Sequence, residues 1–246
     1  MLASVTCLHE AELAMAGGAD IIDCKDPRRG ALGALAPASV AAIRAGIPRA
    51  VISATIGDLP PLADALVSAA LEMAATGVDY VKVGFFPGGD AVEAIRALGA
   101  AFPVRLAEGG SARLVGVLLA DRDPDFSLVE VMAEAGFAAV MIDTAGKRGR
   151  SLPDILGHGE LAAFVRAAHS QGLAAGLAGS LQAGHVAELS TLGADILGFR
   201  GALCSGSDRR GAIDAACVGQ VRAVVSAAPA ARERNPALAR QEELHP

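Results

Sequence analysis

The sequence predicts an α/β protein in which a single-domain (β/α)8 barrel, the TIM barrel, spans residues 1–227. Three observations support this fold. The chain has 246 residues, and a barrel of about 250 residues is the common single-domain solution at that length. Eight short apolar runs alternate with Ala-rich segments of helical character, and eight parallel strands close a barrel. A weak internal repeat also has the period of two βα units.

The apolar runs are interpreted as strands because Gly, Pro or polar residues border them. Helices are expected between the strands, for example over 62–75, 128–135 and 161–171. A doubly wound open sheet is the alternative, but no GxGxxG motif follows the first strand, which argues against a dinucleotide-binding fold. The eight strands are expected near residues 2–6, 20–25, 50–56, 79–85, 103–108, 138–144, 173–178 and 195–200.

Four glycines mark the repeat, since Gly18, Gly77, Gly136 and Gly193 each follow a helical segment and precede a strand. Their spacings of 59, 59 and 57 residues select the second, fourth, sixth and eighth strands. Alternate strands of a barrel contribute to the same interior layers. Three residues, each seven positions after a repeat glycine, should therefore form one ring near the C-terminal mouth, with Lys82 one level below. These three are Lys25, Asp143 and Arg200.

The second strand carries a candidate pair of catalytic groups, because Asp23 and Lys25 lie two residues apart at the end of its apolar run. Side chains alternate between the faces of a strand, so these two share one face and Cys24 takes the other. A carboxylate beside an amine at a strand end suits catalysis. An ordinary surface ion pair has the same pattern and is the alternative.

The scarcity of lysine favours catalysis. Of 21 basic residues only three are lysines, and Lys25, Lys82 and Lys147 all lie within or shortly after apolar runs. Arg keeps its proton in proteins, whereas a desolvated lysine amine can act as a nucleophile or a base. The alternative is a compositional bias toward Arg in which three lysines remain by chance. This explanation is weaker, because all three lysines lie at strand ends.

Glycine-rich and polar residues near the ends of later strands indicate where a phosphate would bind. Barrels often bind phosphate on the loops after the seventh and eighth strands, through backbone N–H groups. The segments LAGS and GFRGALCSGSDR occupy those positions. The candidate ligands are Gly179, Ser180, Arg200 and Gly201, with Ser53 and Thr55 from the third strand; Glu108 and Arg209 are further candidates at the same end.

Composition and charge argue against several classes of function. A net charge of −6 provides no general basic surface for nucleic acid. No signal peptide is expected and no apolar run has the length of a membrane span, so a cytoplasmic location is expected. The four cysteines lack metal-ligand spacing and the five histidines lie mostly away from strand ends, so neither a metal nor a cofactor is expected. Residues 228–246 are expected to form a mobile tail.

Six segments resemble the (5-formylfuran-3-yl)methyl phosphate synthase family of methanofuran biosynthesis: GGADIIDCKDPRRGALGA, VISATIGD, DYVKVGFF, MIDTAGKRGRSLPDIL, LAGS and GFRGALCSGSDR, in this order. The resemblance covers roughly residues 2–222. It implies a barrel lyase that joins two glyceraldehyde 3-phosphates into a phosphorylated furan aldehyde, with loss of phosphate and water. It also implies a Schiff base on Lys25 and proton acceptance by Lys82, with Asp23, Asp143 and Lys147 as further active-site residues.

Two other functions stay open from the residues alone. Another Schiff-base barrel, such as a class I aldolase acting on sugar phosphates, would use the same lysines. The other is a non-catalytic barrel that serves as a scaffold, although a scaffold has no need to keep amines where Arg supplies the charge. The expected partner is a small triose phosphate, and a homo-oligomer is compatible with the sequence.

Overall fold

The computed structural model describes residues 1–107, 109–146 and 149–228. The strands are β1 (Leu2–Val5), β2 (Ile21–Cys24), β3 (Ile52–Thr55), β4 (Tyr80–Gly84), β5 (Val104–Arg105), β6 (Ser111–Leu119), β7 (Ala139–Asp143), β8 (Ala174–Leu177) and β9 (Ile196–Phe199). All except β5 run parallel around one barrel, and pairing between β4 and β6 closes it. The predicted closed, eight-stranded (β/α)8 barrel is therefore confirmed.

The fifth barrel strand differs from the expectation. A strand near 103–108 was expected to enter the barrel, but β6 takes that place, and β5 pairs antiparallel with its first residues. The chain reverses between β5 and β6, where the Leu106 N–H donates to the Gly110 carbonyl. The apolar run before the Gly-Gly pair is thus the short arm of a hairpin, and the longer run after it forms the barrel wall. Glu108 lies outside the described residues.

Helices surround the barrel and connect successive strands. The helices predicted over 62–75, 128–135 and 161–171 are present, and their ends agree with the prediction to within a few residues. Asp90 caps the fourth helix by accepting from the Glu93 N–H at 2.9 Å, and Asp214 caps the eighth by accepting from Ala216 and Cys217. Within the described ranges, no helix combines the length and apolar character needed to cross a membrane. The helices are α1 (Leu8–Ala16), α2 (Pro37–Gly46), α3 (Ala63–Ala74), α4 (Ala91–Ala101), α5 (Leu128–Glu134), α6 (His158–Ser170), α7 (Val186–Ser190) and α8 (Ala215–Ala227).

The four repeat glycines share one backbone conformation. Gly18, Gly77, Gly136 and Gly193 have φ values of 87°, 86°, 78° and 77°. A left-handed residue just past a helix is a common way to end it, and glycine adopts that conformation without steric cost. Each of the four precedes one of the alternate barrel strands β2, β4, β7 and β9. The repeat therefore places Lys25, Lys82, Asp143 and Arg200 on or directly after strands of one set.

The lower part of the barrel interior is filled by apolar side chains. Leu2, Tyr80, Val115 and Met141 are buried there. Gly176 makes room for Met141, because a Cβ on this glycine would lie 2.5 Å from the Met141 Cγ. The polar side chains of the barrel interior therefore lie above this layer, at the C-terminal end of the strands.

Candidate active site

A cavity of about 540 Å³ lies at the C-terminal end of the barrel strands. The four residues predicted to converge, Lys25, Lys82, Asp143 and Arg200, all line it, and so does Asp23. Cys24 packs in the core on the outer side of β2, as the strand alternation predicted. The even-strand repeat therefore predicted which residues line one cavity, even though the fifth strand was misplaced.

Lys25 forms an ion pair across the barrel. It follows β2, and its Nζ donates to the Asp143 Oδ2 on β7 at 2.8 Å. The two side chains are only 9% and 7% exposed. Asp143 is also oriented by the backbone N–H of Thr144, which donates to Oδ1 at 2.7 Å. An amine must lose its proton before it attacks a carbonyl, and Asp143 is placed to accept that proton.

Lys82 and Asp23 form a second buried pair. The Lys82 Nζ on β4 lies 3.1 Å from the Asp23 Oδ1 on β2, with side-chain exposures of 4% and 0%. Two hydroxyls complete the surroundings of the carboxylate, since Ser53 donates to Oδ1 at 2.6 Å and Ser4 donates to Oδ2 at 2.9 Å. Two hydroxyl hydrogen bonds and one ion pair thus engage both oxygens of Asp23 and fix its orientation.

The pairing corrects one expectation from the sequence. Asp23 and Lys25 share a face, as predicted, but each lysine takes its carboxylate from another strand. Residues two apart on a strand are separated by about 6.6 Å along it and point side by side, whereas strands across a small barrel face each other. Asp23 therefore forms its ion pair with Lys82, and Asp143 forms its ion pair with Lys25.

The loops after β8 and β9 present backbone donors to the cavity. Among the described residues, the N–H groups of Gly179, Ser180 and Gly201 have no hydrogen-bond acceptor. Gly179 has φ of 114°, and a Cβ there would lie 2.7 Å from the Thr144 Cγ2. Ser180 has φ of 51°, a conformation that is costly for a residue with a side chain and that occurs preferentially at functional sites. Backbone N–H groups without an internal acceptor form anion-binding concavities where they converge.

The two candidate arginines differ in their surroundings. Arg200 lines the cavity, but its guanidinium donates to the Glu10 carboxylate and to backbone carbonyls of the protein. Arg209 lines the same cavity and donates to the Gly30 carbonyl at 3.0 Å. Burial lowers the pKa of the Arg209 guanidinium below its ordinary value, because the cation is partly withdrawn from solvent. The geometry therefore does not favour the expectation that Arg200 contacts phosphate directly.

The remaining candidates have different positions. Ser53 acts on Asp23, as described above, and the Thr55 hydroxyl donates to the Gly33 carbonyl at 3.1 Å. In the described part of the chain, neither side chain lines the cavity. Lys147 lies outside the described residues.

Sequence reasoning missed two residues of this network. Alternation along β1 could have placed Ser4 on the inner face beside Leu2. No local signal marks Glu10, because a glutamate near the start of a helix is ordinary.

Two other chemistries lack the necessary groups. Burial raises the pKa of the Cys24 thiol to about 12, so this cysteine is not a thiolate nucleophile at neutral pH. In the three described segments, no cluster of three or more His, Cys, Asp or Glu side chains could hold a metal ion. Lys25 and Lys82 both line the cavity.

Comparison with known proteins gives one consistent family. A family model described as 4-HFC-P synthase matches residues 1–222. A (5-formylfuran-3-yl)methyl phosphate synthase of Methanopyrus kandleri is 41% identical over 87% of this chain and 93% of its own, and that of Methanocaldococcus jannaschii is 37% identical over 90% and 97%. A Methylorubrum extorquens protein that carries the same name provisionally is 43% identical over 94% and 93%.

Solved structures support the fold. Phosphoribosyl anthranilate isomerase from Thermus thermophilus superposes with a TM-score of 0.63 at 18% identity, covering 92% of this chain and 98% of its own. The 3-hexulose-6-phosphate synthase from Salmonella typhimurium gives 0.63 at 19% identity, covering 92% and 97%. At these identities the similarity concerns the architecture alone.

Proposed function

The chain belongs to the 4-HFC-P synthase family, and on this premise we propose that it condenses two molecules of glyceraldehyde 3-phosphate into (5-formylfuran-3-yl)methyl phosphate, a step of methanofuran biosynthesis. The names of the relatives support the product. The balance supports the substrate, because two three-carbon aldehyde phosphates give this six-carbon product by losing one phosphate and two waters. No oxidant, reductant or cofactor is needed.

One observation carries the mechanism, the Lys25 Nζ 2.8 Å from the Asp143 carboxylate at a buried position in the cavity. After Asp143 accepts a proton, the amine adds to the aldehyde carbon of the first triose phosphate. Loss of the carbinolamine hydroxyl as water gives the imine, which draws electrons from the neighbouring carbon.

Lys82 is assigned to the proton on that neighbouring carbon. It lies on β4, below the mouth, and Asp23 is placed to hold the additional proton of its amine. Removal of the carbon-bound proton gives an enamine, whose carbon attacks the aldehyde of the second triose phosphate. Elimination of phosphate and a second water, with ring closure by an oxygen of the second triose on the imine carbon, then gives the furan and releases the Lys25 amine from that carbon.

The phosphate of a substrate is assigned to the loops after β8 and β9. The N–H groups of Gly179, Ser180 and Gly201 supply neutral donors to its oxygens, and the Ser180 hydroxyl adds another. Lys147, which the family resemblance places among the active-site residues, is a further cationic candidate in the sequence.

The test is borohydride trapping with glyceraldehyde 3-phosphate on the full-length protein, followed by peptide mass mapping. Reduction converts an imine into a stable secondary amine, so the adduct should map to Lys25. Lys25→Arg should abolish both trapping and turnover, because Arg keeps the charge and cannot act as a nucleophile at neutral pH. Lys82→Arg should stop formation of the furan aldehyde and leave the Lys25 adduct trappable.

Product analysis separates this function from a simple aldolase. The furan aldehyde absorbs in the ultraviolet, and phosphate should be released in equal amount with it. The assignment is overturned if the adduct maps to Lys82, or if Lys25→Arg turns over at the wild-type rate. A sugar bisphosphate as the final product would favour an ordinary class I aldolase instead.

A further inference from the structure

The loop that follows β9 contains two arginines whose donors are used in different ways. All five N–H groups of Arg200 are bound inside the protein: Nε to the Arg209 carbonyl, Nη1 to the Ser4 carbonyl and Glu10 Oε2, and Nη2 to Glu10 Oε1 and the Gly211 carbonyl. The distances range from 2.6 Å for the Gly211 carbonyl to 3.1 Å for Glu10 Oε1. A guanidinium with no donor left cannot bind an incoming phosphate without breaking these bonds.

Glu10 completes the Arg200 cluster from the other end of the chain. Its Oε2 also accepts from the Thr6 N–H at 2.7 Å, and its Oε1 accepts from the Ile213 N–H at 3.2 Å. The Arg200 and Glu10 side chains are 10% and 6% exposed. The pair therefore fastens the backbone of residues 209–213, which begins at Arg209, to the start of α1.

Arg209 retains most of its donors. Among the described residues, its single hydrogen-bond acceptor is the Gly30 carbonyl, reached through Nη2. Its side chain is half-buried and lines the cavity together with Ser180 and Gly201. A Cβ built on Gly201 would lie 3.9 Å from the Arg209 Cβ, so this arginine starts beside the proposed phosphate donors.

We propose that Arg209 is the charged ligand of the substrate phosphate, and that Arg200 with Glu10 is a positioning pair that holds the Arg209 backbone against the barrel. The inference rests on the proposed function, because it takes a phosphate ester as the ligand. A dianion in a cavity that Asp143 and Asp208 line needs a cation to offset these carboxylates, and Arg209 lines the same cavity.

The first test measures binding of inorganic phosphate to the full-length protein by titration calorimetry. Arg209→Ala should weaken binding roughly 10- to 100-fold, as expected for loss of a charge-assisted hydrogen bond. The matched control is Arg210→Ala, which removes the same charge from the exposed neighbouring position and should change affinity less than about 3-fold. Equal losses in both variants would mean general electrostatic attraction and would overturn the assignment.

The second test is a double-mutant cycle that separates positioning from direct contact. Glu10→Gln removes one charge of the cluster and should weaken phosphate binding in the wild-type background. In the Arg209→Ala background the same change should have almost no further effect, because the ligand that Glu10 positions is already absent. Arg200→Lys provides a second cycle if Glu10→Gln does not fold, and thermal unfolding confirms folding of each variant.

Additive losses in these cycles would show that Arg200 or Glu10 affects phosphate independently of Arg209, and the positioning role would be wrong. Wild-type protein that does not bind phosphate would overturn the whole inference. Borohydride trapping at Lys25 is read separately, so failure of the phosphate site and failure of the proposed function give different results.

Discussion

At the scale of single residues, the two buried ion pairs divide the proposed chemistry. Asp143 accepts a hydrogen bond from Lys25, and Asp23 forms an ion pair with Lys82. Replacement of each carboxylate by its amide should therefore affect different steps. Asp143→Asn should slow formation of the trappable adduct by about 10²- to 10⁴-fold, the usual contribution of a general base. Asp23→Asn should leave adduct formation near the wild-type rate and slow appearance of the furan by a similar factor.

The measurement is a time course of borohydride trapping beside a time course of ultraviolet absorbance. Ser53→Ala is the control for disturbance of Asp23 without loss of its charge, because it removes only the 2.6 Å hydroxyl donor. Its effect on furan formation should be much smaller than that of Asp23→Asn. If both amide variants slow trapping equally, the division of roles is wrong.

The sequence identified the lysines of the site better than their partners. Lys25 and Lys82 could be recognised as candidates from the sequence, because only three of the 21 basic residues are lysines and the rest are Arg. The pairing of Lys25 with Asp143 depends on a contact across the barrel, which no local pattern encodes. The saturation of Arg200 depends partly on Glu10, 190 positions away, so the motif GFRG alone gives no sign that this guanidinium is bound inside the protein.

At the scale of elements, the loop after β8 depends on one glycine. Gly179→Ala should lower the free energy of unfolding by about 1–3 kcal/mol, because φ of 114° is unfavourable for alanine and the new Cβ would meet the Thr144 side chain at 2.7 Å. It should also weaken phosphate binding, since relief of that contact moves the Gly179 and Ser180 N–H groups. Chemical denaturation and phosphate titration measure the two effects.

Gly172→Ala is the matched control, because Gly172 also has a positive φ, 74°, but a Cβ there would meet nothing within 4 Å. It should cost about 1–2 kcal/mol in stability and leave phosphate affinity unchanged. A phosphate affinity that stays at the wild-type value in Gly179→Ala would contradict the role of this loop.

The elements themselves were largely predictable, with one informative exception. Seven barrel strands follow apolar runs that the sequence marks by glycine, proline or polar residues at their borders. The run at 103–108 has the same appearance, yet Val104 and Arg105 pair antiparallel with Ala112 and Ser111. Which of two adjacent apolar runs enters a barrel is decided by the length available for pairing with both neighbours. Only β6, with nine residues, pairs with both β4 and β7.

At the scale of the whole molecule, Glu10 and Arg200 connect the first βα unit to the last. Burial by itself raises the pKa of Glu10, but the Arg200 guanidinium and the Thr6 donors outweigh it, and the net pKa is below the ordinary value of 4.5. A lowered folded-state pKa stabilises the fold above the ordinary pKa, and this contribution is lost as the pH falls through the lower value. Glu10→Gln should therefore lower the unfolding free energy at pH 7 by roughly 2–4 kcal/mol and reduce its decrease below about pH 4.5.

Denaturant unfolding at a series of pH values from 7 to about 3 checks this expectation. Glu12→Gln is the control, because it removes an exposed carboxylate from the same helix and should change stability at pH 7 by less than about 0.5 kcal/mol. A Glu10→Gln variant with the same pH dependence as the wild type would show that the connection between the two ends of the barrel carries no stability.

The crossed lysine–carboxylate pairs also bear on how this protein could be evolved in the laboratory. Replacement of a buried ion pair by apolar side chains of similar volume is often neutral or stabilising. A library screened only for heat resistance would thus be free to exchange Lys82 and Asp23 together for a methionine and a leucine. Such variants would gain thermal stability and lose catalytic activity. Selection on this scaffold must therefore measure turnover in every round.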